Sequence, residues 1–223
     1  MKKRKRRLSV KAKVLMIILL IPVAITVFTL TVILWTSIKN PDLLKKSANT
    51  ILDFQDRHNE MEIPKDYIPI YIEAAEEYGI PWTLLAAHHR IETRFSTMDP
   101  LLSPAGAEGH MQFMPCTFVG WSYPGCGELG QGDISEEDKT NPEVIKEHGG
   151  YGIDANGDGI ADPYDIEDAI YSAANYLADS GAADGDYEEA IFDYNKSEKY
   201  VQDVLWFFEQ FEELRVDIEA AYE

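Results

Sequence analysis

Residues 67–95, YIPIYIEAAEEYGIPWTLLAAHHRIETRF, contain the clearest helical pattern in the chain. Apolar residues recur there at helical spacing, and Gly79 followed by Pro81 divides the stretch into two helices. No part of the chain shows the sustained alternation of apolar and polar residues that is typical of strands. We therefore expect a mainly α domain.

More helices are predicted beyond a long loop region. The chain from 96 to 152 is rich in glycine and proline and contains one apolar segment, residues 110–121. After it, helical patterns are present at residues 166–178, 187–194 and 200–214. The domain should thus combine helices with long loops that carry function.

The N-terminal segment predicts a membrane anchor. A basic segment, residues 1–13, precedes residues 14–36, where the run VLMIILLIPVAITVFTLTVILW contains no charged residue. At a rise of about 1.5 Å per residue, this helix would cross a hydrocarbon core about 30 Å thick. The basic segment should remain in the cytoplasm, which places the rest of the chain beyond the cell membrane. A cleaved signal peptide is the alternative.

The part beyond the anchor divides into a stalk helix, residues 37–62, and a domain, residues 63–223. From Ile38 onward, 12 basic residues stand against 39 acidic ones, a net charge of -27. A field of that sign repels phosphate backbones and anionic lipid. We therefore expect no nucleic-acid partner, and contact with the membrane only through the N-terminal helix.

Residues 154–168 have the spacing of an EF-hand calcium loop, with oxygen-bearing side chains at positions 1, 3 and 5 and glycine at position 6. The predicted ligands are Asp154, Asn156, Asp158 and the backbone carbonyl of Ile160. Asp165 occupies position 12, and Asp168 is a nearby candidate for the same role. A solvated turn that binds no ion is the alternative.

Two cysteines, Cys116 and Cys126, lie in the exported part of the chain and bracket a short loop. Outside the cytoplasm such a pair can form a disulfide, and the short loop would be stabilised by a little under about 3 kcal/mol. Two unpaired cysteines are the alternative. Cysteines without clustered histidines do not predict a structural zinc site.

Glu92 is the candidate for acid–base chemistry. It stands near the end of the apolar run 80–95, where a carboxylate is partly removed from water. Desolvation raises a carboxyl pKa and keeps the group protonated, as a general acid requires. A solvated glutamate at a helix end is the alternative.

Four motifs in order resemble the catalytic domain of bacterial lytic transglycosylases, over residues 63–214. They are YGIP at 78–81, IETRF at 91–95, SPAGAEGHMQFMP at 103–115, and YN at 194–195 followed by YV at 200–201. The ETR and QFMP wording and the calcium loop resemble the membrane-bound lytic transglycosylase B family. The short spacing after Glu92 and the YN motif are more similar to the soluble lytic transglycosylases, a group that includes goose-type lysozyme.

The resemblance implies a lysozyme-like fold and a single catalytic acid and base, Glu92, acting on peptidoglycan. The β-1,4 bond between N-acetylmuramic acid and N-acetylglucosamine would be cleaved with formation of a 1,6-anhydro ring. Asp168 matches the family's last calcium ligand, and no organic cofactor is implied. The positions that match its substrate contacts are Ser103, Gln112, Tyr194 (the tyrosine near the acid) and Asn195.

Other interpretations remain open. Glycosidases commonly use two carboxylates, and Asp99 and Glu108 lie close to Glu92 in sequence although neither occupies a motif position. A muramidase would use the same Glu92 with water as nucleophile. A non-catalytic, calcium-stabilised wall-binding module in an envelope complex is the third function considered. His88 and His89 precede Glu92 closely, and we expect surface or packing positions for them rather than a metal site.

Overall fold

The computed structural model describes residues 61–127 and 129–222, together with helical residues at 21, 26–28, 31 and 35. The predicted basic segment (1–13), membrane helix (14–36) and stalk helix (37–62) lie outside the described residues, apart from the helical positions just given and from Met61 and Glu62 at the end of the stalk, which are not helical. No helix in the described part of the chain is long and apolar enough to cross a membrane. Contacts divide the chain into Met1–Glu60 and Met61–Glu223, and the candidate site lies in the second unit.

The second unit is mainly helical, as predicted. Short 3-10 turns occur at Lys65–Tyr67 and Ala182–Asp184. Within residues 61–222 the α-helices are α1 (Ile68–Tyr78), α2 (Trp82–Thr93), α3 (Pro115–Val119), α4 (Glu136–Lys139), α5 (Pro142–His148), α6 (Ile166–Asp179), α7 (Tyr187–Tyr194) and α8 (Glu198–Tyr222).

Helix α2 lies at the centre of this unit. Residues 84–87, two leucines followed by two alanines, are completely buried at four consecutive positions. A helix that is apolar on all sides must be covered on all sides, and α1, α6 and α8 pack against it. Each buried leucine contributes about 1.5–3 kcal/mol. Polar residues on α2 are consequently held among protein atoms, away from bulk water.

The end of α2 differs from the prediction. The apolar pattern predicts a helix through Phe95, but α2 ends at Thr93, and Arg94, Phe95 and Ser96 have φ angles of 52°, 57° and 65°. This turn directs the Phe95 ring into the core, where it packs against His89 and Phe211 at ring separations of 5.6 and 6.4 Å. Burial of Phe95 thus accompanies the early end of the helix.

Helix α8 runs antiparallel to α2 and is longer than the predicted 200–214. Early in α2, the Trp82 indole donates to Glu219 at 2.9 Å. Late in α2, the Arg90 guanidinium lies 5.0 Å from the Phe207 ring. The last turns of α8, residues 215–222, mix charged and apolar residues, with Val216 exposed and Ile218 packed against the core, and the predicted helix ends before them. The antiparallel arrangement brings the end of α2 beside the start of α8.

The region between α2 and α6 contains more helix than the sequence predicts. Helices α4 and α5 were missed because they are short and polar; α5 begins where the Asn141 side chain accepts the Glu143 amide proton at 2.9 Å. Cys116 on α3 and Cys126 form a disulfide with Cα atoms 5.6 Å apart. The bond connects α3 to the glycine-rich loop that follows it.

Candidate functional site

Glu92 lies in the last turn of α2, where it is partly buried. Burial raises the pKa of its carboxyl from 4.5 to about 7, because the charged form loses hydration. The Tyr200 hydroxyl, in the first turn of α8, donates to Glu92 Oε1 at 2.5 Å and opposes this rise by stabilising the carboxylate. The two effects leave a carboxyl group that can both give and accept a proton near neutral pH.

Tyr200 is a residue to which the sequence assigned no role. Tyr194, the predicted neighbour of the acid, instead donates its hydroxyl to the Met111 carbonyl at 2.8 Å. Tyr194 is still close to Glu92. Burial first and the charge of Glu92 second raise the pKa of the Tyr194 hydroxyl well above 10. The sequence does contain a pattern that could have indicated Tyr200. Tyr200 is the first residue of the buried face of α8, which continues through Val201, Val204, Phe207 and Phe211.

The His88 side chain, on α2, packs against both tyrosines. Its ring lies 5.2 Å from that of Tyr194 and 6.1 Å from that of Tyr200. Nδ1 donates to the Leu84 carbonyl at 2.9 Å, and Nε2 is a buried polar atom without a hydrogen-bond partner in the described structure. Burial lowers the pKa of His88 to about 4, so it is neutral and places no positive charge beside Glu92.

The loop that carries Ser103 and Gln112 is folded by two isolated bridges, which pair Glu108 with Leu102 and with Phe113. The Ser103 hydroxyl accepts the Ala107 amide proton at 2.9 Å. Gln112 has a φ of 52° and its side-chain amide donates to the Gly109 carbonyl at 2.8 Å. Both predicted sugar contacts therefore shape their own loop in this structure.

This loop is attached to the end of α2. Thr93 Oγ1, next to Glu92, donates to the His110 carbonyl at 2.8 Å. The next residue, Met111, is fully buried and accepts the Tyr194 hydroxyl. Gln112 thus follows directly on a segment fixed to the surroundings of Glu92. Asn195, the remaining predicted contact, is exposed just after α7.

The two other carboxylates that follow Glu92 in sequence have different surroundings. Both oxygens of Glu108 accept hydrogen bonds from the Lys139 ammonium, at 2.9 and 3.1 Å, and both side chains are largely buried. Asp99 is exposed, before a cis bond to Pro100. Glu108 is therefore engaged in an ion pair, and Glu92 is the carboxyl whose pKa burial raises toward neutrality.

The predicted calcium loop is organised by its own side chains. Asp154 accepts the amide protons of Gly157 and Gly159, both at 2.9 Å, and Asn156 accepts that of Asp158 at 2.9 Å. These bonds fold the chain around its oxygen-bearing side chains. Glycines at 157 and 159 have φ angles of 76° and 92°, which non-glycine residues rarely adopt.

The two candidates for the last ligand occupy different places. Asp165 caps α6, where it accepts the Glu167 amide proton at 2.9 Å. Asp168 is completely buried, and its two oxygens accept amide protons from Ala155 and Asp162, at 2.8 and 2.9 Å. Burial raises its pKa and these amides oppose the rise. Asp168 therefore closes the loop from within, whereas Asp165 begins a helix.

The donor set consists of hard oxygen atoms, which fits calcium in chemical type. Across residues 61–127 and 129–222, however, no three His, Cys, Asp or Glu residues come together closely enough to hold a metal ion. His88 and His89 are both buried and hydrogen-bonded, so they take the packing position of the two positions expected, surface or packing.

Two cavities occur elsewhere in the described part of the chain. One, of about 260 Å³, is lined by the glycine-rich loop between Gly125 and Gly132, which the Cys116–Cys126 disulfide borders. The other, of about 550 Å³, is lined by acidic residues of α7, by Phe192 and by Val201 next to Tyr200. Glu92 lines neither of these two cavities.

Comparison with known proteins provides no relative: no family model, curated protein or solved structure matches the chain.

Proposed function

We propose that the protein is a membrane-anchored peptidoglycan lytic transglycosylase with a lysozyme-like catalytic domain. The observation that carries the proposal is Glu92, a partly buried carboxyl group with a pKa of about 7 and a tyrosine hydroxyl on one oxygen. The four ordered motifs of the sequence give this carboxyl group its proposed substrate. The acidic domain, with a net charge of -27 from Ile38 onward, suits an exported enzyme.

In the proposed reaction, protonated Glu92 gives its proton to the glycosidic oxygen while the bond from that oxygen to C1 of the muramic residue breaks. The resulting carboxylate then takes the proton of the C6 hydroxyl as its oxygen bonds to C1. This closes the 1,6-anhydro ring and returns the proton to Glu92. The substrate supplies the nucleophile, so a second carboxylate is not needed, in contrast to most glycosidases.

Tyr200 has a defined part in this cycle. Its hydroxyl donates to Oε1, which leaves the other carboxyl oxygen for the proton that is transferred. A donated hydrogen bond stabilises the carboxylate that forms after the first step. Because His88 is neutral, it adds no positive charge that would hold Glu92 ionised, and the raised pKa of Glu92 keeps the acid available near pH 7. Ser103, Gln112, Tyr194 and Asn195 are proposed to contact the glycan.

The remaining parts of the proposal concern ions and location. Calcium would bind the 154–168 loop through Asp154, Asn156, Asp158, the Ile160 carbonyl and Asp168. In this role Asp168 is preferred to Asp165, whose side chain caps α6. The ion would be structural, with a dissociation constant of about 10⁻⁴–10⁻³ M, as in other extracellular modules. Residues 14–36 would hold the domain at the outer face of the cell membrane.

The test is release of soluble fragments from dye-labelled peptidoglycan by the full-length protein in detergent. Glu92→Gln should lower the rate by about 10²–10⁴-fold, the usual contribution of a general acid. Glu143→Gln, at an exposed position of α5, is the matched control and should retain the parent rate. Equal rates for the parent and Glu92→Gln would instead favour a non-catalytic wall-binding module.

A further inference from the structure

A continuous chain of side-chain hydrogen bonds runs past the end of α2. The Tyr71 hydroxyl lies 2.6 Å from His89 Nδ1, and His89 Nε2 lies 2.7 Å from Ser96 Oγ. Ser96 Oγ is in turn 2.6 Å from His110 Nδ1, and His110 Nε2 is 2.9 Å from the Tyr164 carbonyl. We call these four side chains and the carbonyl the His–Ser–His chain.

The direction of every bond in the chain follows from its last member. A carbonyl can only accept, so His110 Nε2 carries a proton and, in a neutral ring, Nδ1 is an acceptor. Ser96 must then donate to His110 and accept from His89 Nε2. His89 Nδ1 consequently accepts the Tyr71 proton. Both rings are thus Nε2–H tautomers, whereas His88, which donates from Nδ1 to Leu84, is the opposite tautomer.

The chain lies where the backbone is least favourable. Residues 94–96 are three consecutive non-glycine residues with positive φ. Each such residue costs about 1–2 kcal/mol and persists only where surrounding contacts determine it. Ser96 is held by its hydroxyl in the chain and by its amide, which donates to Thr93 Oγ1 at 3.0 Å. The turn that ends α2 therefore depends on Ser96, four residues after Glu92.

The other end of the chain holds the loop that carries Gln112. The His110 amide donates to the Pro163 carbonyl at 3.0 Å, next to the Tyr164 carbonyl that its ring binds. Gly109 packs so closely that an added Cβ would lie 1.8 Å from the Pro163 oxygen. The segment 109–112 is thus fixed on one side to α2 and on the other to residues 163–164.

From this geometry we infer that Ser96, between His89 and His110, is a positioning residue that fixes the end of α2, and with it Glu92, relative to the segment 109–112. The expected effect on kcat rests on the proposed function, whereas the expected tautomers and melting temperatures do not. A displacement of about 1 Å can lower a rate by about 10²-fold. Breaking the chain should therefore lower kcat although Ser96 does not touch the reacting atoms.

The first experiment measures tautomers and needs no activity. Long-range ¹H–¹⁵N correlation spectra of the full-length protein, labelled at histidine, should show Nε2–H tautomers for His89 and His110 and an Nδ1–H tautomer for His88 at pH 7. Single histidine substitutions assign the signals. In Ser96→Ala the His89 and His110 nitrogen shifts should change and those of His88 should not. An Nδ1–H tautomer for His110 in the parent overturns the inference.

The second experiment separates the effect of losing the Ser96 hydroxyl from the effect of the backbone strain at residue 96. Ser96→Ala removes the hydroxyl and keeps the strain, whereas Ser96→Gly removes the hydroxyl and relieves the strain, because glycine adopts positive φ readily. Both variants should lower kcat on soluble glycan strands by about tenfold or more, with KM changed by less than about twofold. Ser96→Gly should melt at or above the temperature of Ser96→Ala.

The matched control is Ser122→Ala, which removes another serine hydroxyl beside a histidine, His148, at 3.1 Å. It should retain the parent kcat. A Ser96→Gly variant with the parent kcat overturns the positioning role. If the parent itself cleaves no glycan, the proposed function fails, and the tautomers and the two melting temperatures decide the inference alone.

Discussion

Replacing Tyr200 with phenylalanine removes the hydroxyl that donates to Glu92 Oε1 and leaves the rest of the buried ring in place. Burial raises the pKa of Glu92 to about 7 in spite of this hydrogen bond, which lowers it. Without the hydroxyl, the carboxylate loses a donor that it cannot replace with bulk water. The pKa of Glu92 should therefore rise above 7 in Tyr200→Phe.

The size of the rise follows from the energy of the bond. A hydrogen bond to a charged group contributes about 1.5–3 kcal/mol and one to a neutral group about 0.5–1.5 kcal/mol. The difference favours the carboxylate by about 1–1.5 kcal/mol, and one pKa unit corresponds to about 1.4 kcal/mol. Tyr200→Phe should thus raise the pKa of Glu92 by about one unit, to about 8.

The assay is the pH dependence of kcat/KM on soluble glycan strands. A general acid must be protonated, so activity falls as the pH rises through its pKa. The alkaline limb should move from about pH 7 in the parent to about pH 8 in Tyr200→Phe. Tyr176→Phe is the matched control, because its hydroxyl donates to the Asp193 carbonyl at 2.9 Å and it is not among the proposed glycan contacts. An alkaline limb that stays in place or moves to lower pH in Tyr200→Phe would show that the Tyr200 hydroxyl does not stabilise the Glu92 carboxylate.

Three further predictions concern stability. Burial raises the pKa of Glu92 in the folded state, so the folded protein loses stability as the pH rises from about 4.5 to 7 and Glu92 ionises. Glutamine does not ionise, so Glu92→Gln should raise the unfolding free energy by on the order of 2–3 kcal/mol at pH 8 and leave it unchanged at pH 4. Equal effects of the substitution at both pH values would contradict this. Calcium at about 10 mM should stabilise the protein by about 1.5–3 kcal/mol, so EDTA should lower the melting temperature of the parent but not of Asp168→Asn; an unchanged parent argues against the calcium site. Replacing Cys116 and Cys126, which are 10 residues apart, with alanine should lower the unfolding free energy by about 2–3 kcal/mol in denaturant titrations, and a loss below about 0.5 kcal/mol would show that the short loop gains little from the bond.

The helices with a strong apolar stripe could be predicted from sequence alone. Helix α7 has the predicted bounds, and α6 extends one residue past its predicted end, to Asp179. For α6 the structure also shows the Asp165 cap that fixes its start. Local periodicity is sufficient in such elements because one face of each helix is buried in the core.

The sequence was insufficient where distant contacts decide the backbone. The pattern through Phe95 continues a helix, but Phe95 packs between His89 and Phe211, and the helix ends at Thr93. Phe211 is more than 100 residues away in the chain, so no local pattern contains it. Helix α8 extends to Tyr222, and its last turns contact the rest of the unit through the Ile218 side chain and through the hydrogen bond from Trp82 of α2 to Glu219.

The candidate site shows the same division. The partial burial of Glu92 follows from its place on an apolar helix, and the raised pKa was expected on that ground. The partner of its carboxyl group could not be derived, because it depends on the antiparallel alignment of α2 and α8. That alignment places Tyr200, rather than Tyr194, within hydrogen-bond distance of Glu92.

The most direct measurement of the central proposal is the mass of the fragments that the full-length protein releases from purified peptidoglycan. We expect muropeptides that end in 1,6-anhydro-N-acetylmuramic acid, formed by the parent and reduced by about 10²–10⁴-fold with Glu92→Gln. Fragments with reducing ends, which are heavier by one water molecule, would show a muramidase that uses the same acid. Anhydro products formed equally by Glu92→Gln would contradict the assignment of Glu92 as the catalytic acid and base.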